Sequence, residues 1–330
     1  MYQIFKYSFF LLLAALLTSC SPKSQDQERE RIVVILDFLP GPIHAGFYAA
    51  QARGDYEKAG LEIELRSPSS TSDTIRLLAA GQADVGLAPL LDYFYLRVEE
   101  RPVKLLFALV QTPLSAVIAS PESGITQPLD LEGKTVATTG LIGDEIIVKA
   151  MLNHAGGDSS KMETLNMGFN VIQALSAGQV DAALGFWSSD ALQYAQRKTP
   201  VVLKSFEHGV PAYPELVAFS NRSTLESRQE AIASFIEITK ASYQQLMANP
   251  EEALSLFAES VDSYTTETAR PFFEVLLPVF RNEAQEFGVI DQKKIQETID
   301  WLAKNGLPNY SSLKVEDFIH PGATSLTASQ

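Results

Sequence analysis

One ten-residue unit occurs twice in this chain, and it limits the fold more than any other feature. Leu78-Ala79-Ala80-Gly81-Gln82-Ala83-Asp84-Val85-Gly86-Leu87 is matched by Leu175-Ser176-Ala177-Gly178-Gln179-Val180-Asp181-Ala182-Ala183-Leu184. Each copy reads as the end of a helix, a glycine stop, a turn and a strand. The segments around each copy repeat the alternation. Strands are predicted at Arg31–Asp37, Leu61–Leu65, Ala83–Leu87 and Val103–Val110, with helices at Ala45–Ala59 and from the cap candidates Ser69–Asp73 to about Ala80. The pattern restarts at Gly133, with strands Lys134–Thr138, Glu163–Met167 and Ala182–Phe186 and helices Ile142–His154 and Val171–Ser176. Such alternation implies an α/β fold of two similar lobes, each a mainly parallel sheet covered by helices.

Beyond Ser223 the strands stop. Glu226–Met247, Pro250–Ser260, Thr266–Val279 and Asp291–Asn305 read as helices that pack back on the first lobe. Ser115–Ser120 reads as the outward crossover between lobes and Tyr213–Asn221 as the return. Lobe 1 is then residues 32–114 plus 221–330, and lobe 2 is residues 115–220. Two crossovers make a hinge, and a hinge makes a closable cleft.

The N-terminus speaks to compartment. Residues 1–19 carry a single charge, Lys6, then the apolar run Phe9–Leu17 and a small-residue site ending at Cys20. That is the order of a secretory signal peptide, and the run is far short of the roughly 20 residues a membrane-spanning helix needs. Cys20 is the chain's only cysteine, so it has no internal disulfide partner. Its place matches the acylated residue of bacterial lipoproteins, and residues 20–31 then form a flexible polar tether. Export to the periplasm or cell surface, with a lipid anchor in the membrane, is the expectation.

The formal net charge is −14, which argues against nucleic acid, whose phosphates demand a basic face. Walker, dinucleotide-fingerprint and His-Glu-x-x-His motifs are absent, and His44, His154, His208 and His320 show no metal-ligand spacing. No cofactor and no metal are expected. In open parallel sheets, ligands bind beyond the carboxyl ends of strands, facing helix N-termini. That rule selects Asp37, Phe38, Pro40 and His44 after the first strand, then Ser69 and Ser70, then Pro89, Leu90 and Asp92. In the second lobe it selects Gly140 and Trp187, and the return crossover adds Tyr213 and Glu215. An indole at a strand end suits stacking on a flat ring, and a hinge carboxylate suits ring N–H groups. Each has a plainer role available. Phe38 and His44 would serve a stiff turn, Trp187 would pack inside its lobe, Glu215 would be solvated, and Asp92 would complement a helix dipole. Apart from His44 these strand-end loops contain no basic side chain, which favours a neutral or cationic ring.

Several stretches resemble one family. They are Leu36–His44, Phe47-Tyr48-Ala49-Ala50-Gln51, Gly54-Asp55-Tyr56, Ala59-Gly60-Leu61, Ala80–Gly86 and Gly209-Val210-Pro211-Ala212-Tyr213-Pro214-Glu215-Leu216. Together they are similar to the thiamine-precursor pyrimidine-binding and pyrimidine-synthase family, over most of Ile32–Leu216. The resemblance implies a two-lobed periplasmic-binding-protein fold of type II-like form, with two parallel or mixed sheets and two hinge crossovers. It implies the solute-binding component of an ABC transporter, working with permease subunits as a monomer on a thiamine-precursor aminopyrimidine. A sulfonate, nitrate or flavin-like cargo is the alternative within that fold. The family's Trp-x-Pro-Asn is Phe38-Leu39-Pro40-Gly41 here, which keeps an aromatic and loses the amide. The family's enzyme branch carries a Lys, a His and a Cys-rich run. The matching positions are Ala88, Asp92 and residues 212–219, so the resemblance points away from catalysis.

Overall fold

The computed structural model describes residues 29–282, 284–305 and 307–321. The leader, Cys20 and the tether up to residue 28 lie outside the described residues.

Among the described residues ten strands form two five-stranded sheets. The first contains β1 (Glu30–Ile35), β2 (Leu61–Arg66), β3 (Val85–Pro89), β4 (Val103–Ala108) and, from far along the chain, β10 (Leu216–Asn221). The second contains β5 (Ser115–Ala119), β6 (Thr135–Thr138), β7 (Glu163–Asn166), β8 (Ala182–Phe186) and β9 (Val201–Lys204). Their orders, β2-β1-β3-β10-β4 and β7-β6-β8-β5-β9, superimpose position for position. In both, three parallel strands are followed by one antiparallel insertion, β10 between β3 and β4 or β5 between β8 and β9.

The repeated unit explains the likeness. Gly81 and Gly178 sit at φ +70° and +69°, the left-handed region that only glycine enters freely, and they end their helices there. The repeat's aspartate then ties its strand to the neighbour. Asp84 Oδ2 accepts the Val33 N–H at 2.8 Å, and Asp181 Oδ2 accepts the Thr135 N–H at 2.9 Å. β3 and β8, which follow, hold the third place in their sheets.

Several expectations change. The sheets are mixed, as the family resemblance implies, where the alternation alone pointed to mainly parallel ones. Ser115–Ala119, read as a crossover, is an interior strand of the second sheet, and β9 had no counterpart in the reading. Leu216–Ser220, assigned to lobe 2, pair with β3 and β4 in the first sheet. Glu30 and Arg31, assigned to the tether, already pair with Leu61 and Glu62. The chain therefore crosses between sheets at residues 109–114 and 205–215. The helix read as Ala45–Ala59 breaks at Gly54, φ +68°, into α1 (Ala45–Ala52) and α2 (Asp55–Lys58).

The other helices are α3 (Asp73–Ala79), α4 (Leu90–Val98), α5 (Ile142–His154), α6 (Val171–Ser176), α7 (Asp190–Ala195), α8 (Arg222–Ser227), α9 (Gln229–Ala248), α10 (Pro250–Ser260), α11 (Thr266–Leu276) and α12 (Gln292–Lys304). Helices α9 and α10 pack on α1, as the apolar faces in the sequence require. Phe47 of α1 stacks on Phe235 and meets Tyr243 edge-on, with centroids 6.2 and 5.6 Å away. Full burial of a side chain of this size contributes about 1.5–3 kcal/mol. Among the described residues no helix is long and apolar enough to cross a membrane.

Candidate functional site

The lobes meet along the carboxyl ends of their parallel strands. Phe38, after β1, lies edge-on to Phe169 of the second lobe, with ring centroids 4.7 Å apart. Thr71 Oγ1 donates to the Thr139 carbonyl at 2.7 Å, and the Gly143 N–H donates to Asp92 Oδ1 at 3.2 Å. Pro89, Leu91, Asp92, Ser115, Gly143, Asp144, Ile147, Phe186 and Glu215 wall a narrow pocket between them.

Three carboxyl groups, those of Asp92, Asp144 and Glu215, line it, and a fourth, Asp190, is bonded to the backbone of the lining residue Phe186. Asp92 stands in the first turn of α4 and is 1% exposed. Burial, then the negative charge of Asp144, pushes its carboxyl up to about 8 despite the Gly143 N–H. Glu215 is also 1% exposed. Its Oε2 accepts from Leu114 N at 2.7 Å, Ser115 N at 3.1 Å and Ser115 Oγ at 3.2 Å. Burial outweighs these donors and raises Glu215 to about 7. Asp144 and Asp190 are half-buried in the first turns of α5 and α7, and desolvation raises each to about 6. Asp144 Oδ2 accepts from Thr139 N and Oγ1 at 2.7 and 2.6 Å, and Asp190 Oδ2 accepts from Phe186 N at 2.7 Å. No lysine or arginine among the described residues lies within 4.0 Å of these four carboxylates. Their charge suits N–H donors or a cation rather than an anion, and with a cavity of about 10 Å³, room for about one water, the pocket would have to widen to admit a ring.

The first loop is a stiff frame. His44 Nδ1 accepts the Gly41 N–H at 3.2 Å, so the other ring nitrogen carries the proton and Nε2–H donates to Asp37 Oδ1 at 2.8 Å. Asp37 and His44 are thus fixed on each other, with Pro40 half-buried between them. Ser69 and Ser70 point their N–H groups at Asp73 Oδ2, both at 2.9 Å, closing the loop before α3. Gly140 lies beside Thr139 on the facing rim, at φ +86°.

Trp187 is half-buried at the hinge. Its Nε1–H donates to the Pro113 carbonyl at 3.1 Å, and Lys204 Nζ stands 4.4 Å above the ring. Among the described residues no ring contact joins it to Phe38.

The pocket therefore brings together Pro89, Asp92 and Glu215, with Leu90 and Tyr213 buried alongside. Asp37, Phe38, Pro40, His44, Ser69, Ser70 and Gly140 lie outside its wall, in the loops that follow β1, β2 and β6, and Trp187 bonds to Pro113 in the crossover. Asp144, Asp190, Phe186 and Lys204 were missed. Lys204 was hidden because β9 was not recognised as a strand.

Comparison with known proteins follows this geometry. Residues 41–253 match the family described as NMT1/THI5 like. A formylaminopyrimidine-binding protein of Halalkalibacterium halodurans is 29% identical over 306 residues, spanning 90% of this chain and 93% of the relative. A 4-amino-5-hydroxymethyl-2-methylpyrimidine phosphate synthase of Uromyces fabae is 23% identical over 305 residues, spanning 88% and 85%. In structure, a Candida albicans protein described as having the generic periplasmic binding protein fold superimposes with a TM-score of 0.69 at 15% identity, covering 90% of this chain and 98% of that one. The two-lobed architecture is that fold.

Proposed function

Since this chain belongs to the NMT1/THI5-like family, we propose that it is the solute-binding component of an ABC-type importer and that its cargo is an amino-substituted pyrimidine. The observation that carries this reading is the pocket between the lobes, where Asp92, Asp144 and Glu215 face one another beside Phe186 without a cationic partner among the described residues. An aminopyrimidine offers N–H donors to carboxylates and a flat face to an aromatic, and a charged acceptor contributes about 1.5–3 kcal/mol per hydrogen bond. The relative named for binding formylaminopyrimidine, matched over most of both chains, supports the same cargo. The hinge at residues 109–114 and 205–215 supplies the motion by which such a protein takes up its solute. In this reading Cys20 carries the lipid anchor of an exported monomer that delivers its cargo to permease subunits.

Synthases also stand among the relatives. Ala88 and Asp92 at the positions of the enzyme branch's Lys and His speak for binding without turnover. Calorimetry with 4-amino-5-hydroxymethyl-2-methylpyrimidine and its formylamino analogue tests the assignment. Dissociation constants of about 1 μM or tighter, or −8 kcal/mol and beyond, are expected. Binding of a sulfonate or flavin, with neither pyrimidine bound below about 1 mM, would leave the fold and remove the cargo.

A further inference from the structure

The pocket contains an oxygen that the protein itself does not use. Asp92 lines it, is 1% exposed, and gives Oδ1 to the Gly143 N–H at the start of α5 in the opposite lobe. Its Oδ2 has no hydrogen-bond partner among the described residues. Tyr213 Oη, fully buried nearby, has none either. The titratable groups that face Asp92 are Asp144 from α5, Glu215 and Tyr213 from the segment entering β10, and Tyr310 from the turn at Pro308–Ser312. All of them are acids. An ionised Oδ2 beside a neutral ring would be a buried, uncompensated charge, which is costly where water is excluded, and a protonated one must give its O–H to a ring nitrogen.

We propose that the pocket holds its ring as a cation, with Asp92 Oδ2 as counter-ion and N–H acceptor. This rests on the aminopyrimidine reading and names the charge state that the pocket selects. When a neutral ring enters, the proton leaves Asp92 Oδ2 and bonds to a ring nitrogen, so one O–H bond is exchanged for one N–H bond and no other reactant takes part. The product is a charge-assisted N⁺–H···O⁻ pair, stronger than a neutral hydrogen bond. Asp92 thereby becomes the specificity-determining residue, because flat neutral solutes without a basic ring nitrogen cannot accept that proton.

The pH dependence follows. A neutral ring with a protonated Asp92 and a ring cation with a carboxylate give the same complex. Between the ring's own pKa and about 8, where Asp92 titrates, no net proton is exchanged. Above that range the free protein has lost the proton, binding must take one up, and affinity falls by up to about tenfold per pH unit. Below the ring's pKa a proton is released and affinity falls again.

The test is nitrogen-15 NMR at pH 7.5 on ring-labelled 4-amino-5-hydroxymethyl-2-methylpyrimidine bound to the protein, with affinities from pH 7.5 to 9.5. In the wild type the ring nitrogen should resonate at the protonated position, and affinity should fall across that range. Asp92→Asn, which keeps the shape and an acceptor for Gly143, should bind at least tenfold more weakly, with a flat profile and an unprotonated ring. A wild-type complex whose ring nitrogen sits at the neutral position, or whose affinity is flat to pH 9.5, overturns the proposal while aminopyrimidine binding stands. No binding at all removes both.

Discussion

A protein that buries Asp92, Asp144 and Glu215 around one pocket without a cationic partner among the described residues should be more stable in mild acid than in base, and Asp92 sets the size of the effect. Its carboxyl moves from the ordinary 3.8 to about 8 on folding, chiefly through burial. At about 1.4 kcal/mol per pH unit, the ionised group costs a rigid closed protein about 6 kcal/mol. Parting of the lobes lets water reach it, so about 2–4 kcal/mol should survive, in keeping with the several kcal/mol typical of relaxed buried ions. The sign is fixed by linkage. Between pH 4 and 8 the folded protein binds more protons at Asp92 than the unfolded chain does, so stability is lost as pH rises. Glu215, Asp144 and Asp190, also raised by burial, push the same way at lower pH. Asp73 is held low by Ser69 and Arg76, so it loses stability only in stronger acid. Urea unfolding followed by circular dichroism at pH 5, 7 and 9 reads the difference, provided that the slope with urea stays constant. Asp92→Asn should match the wild type within about 1 kcal/mol at pH 5 and exceed it by about 2–4 kcal/mol at pH 9. A variant weaker than the wild type at pH 9, or a wild type that gains stability from pH 5 to 9, refutes the reasoning.

Glu215→Ala strips a shared acceptor from two buried backbone N–H groups and the Ser115 hydroxyl, and should destabilise the protein by about 2–5 kcal/mol; Glu215→Gln should cost much less. Equal thermal midpoints for the two variants would show that the hinge does not depend on this carboxyl. Gly140→Ala forces a side chain into φ +86° with its Cβ against the Asn166 side-chain amide, so a loss of about 1–3 kcal/mol is expected in chemical denaturation. Cys20→Ser should release the protein from membranes or block its processing; an intact Met1 on the mature membrane-bound protein would contradict the anchor.

The fold was legible where local chemistry is self-sufficient. Gly81 and Gly178 announce helix ends because only glycine accepts their backbone angles, and α5, α6 and β8 fall at the residues expected. Strands β5 and β9 escaped for the opposite reason. Ser115–Ala119 is short, uniformly buried and flanked by antiparallel partners more than 60 residues away in sequence, and no α-helix separates it along the chain from β4 or β6 to complete an alternating pattern. Hydrophobic period cannot place a strand whose two sides are both hidden. Leu216–Asn221 was seen as extended, but its sheet was set by pairing with β3 and β4 rather than by anything within it.

In the site, the strand-end rule reached Asp92 and the return crossover added Glu215, but Asp144 and Asp190 were passed over, since each stands in a helix's first turn, where the helix dipole already accounts for it. A discriminating signal was nonetheless present. Asp73 plays the same part before α3, accepting the Ser69 and Ser70 N–H groups, but it has Arg76 three residues on, and the two side chains pair at 2.6 Å. Asp144 is followed at those spacings by Ile147 and Val148, and Asp190 by Gln193 and Tyr194. A carboxylate without a cation one turn along its own helix is harmless in water and costly under a facing lobe. The sequence of each helix therefore separates the aspartate that is neutralised locally from the two that are not, and burial where the lobes meet leaves that local deficit uncompensated, raising both carboxyls to about 6.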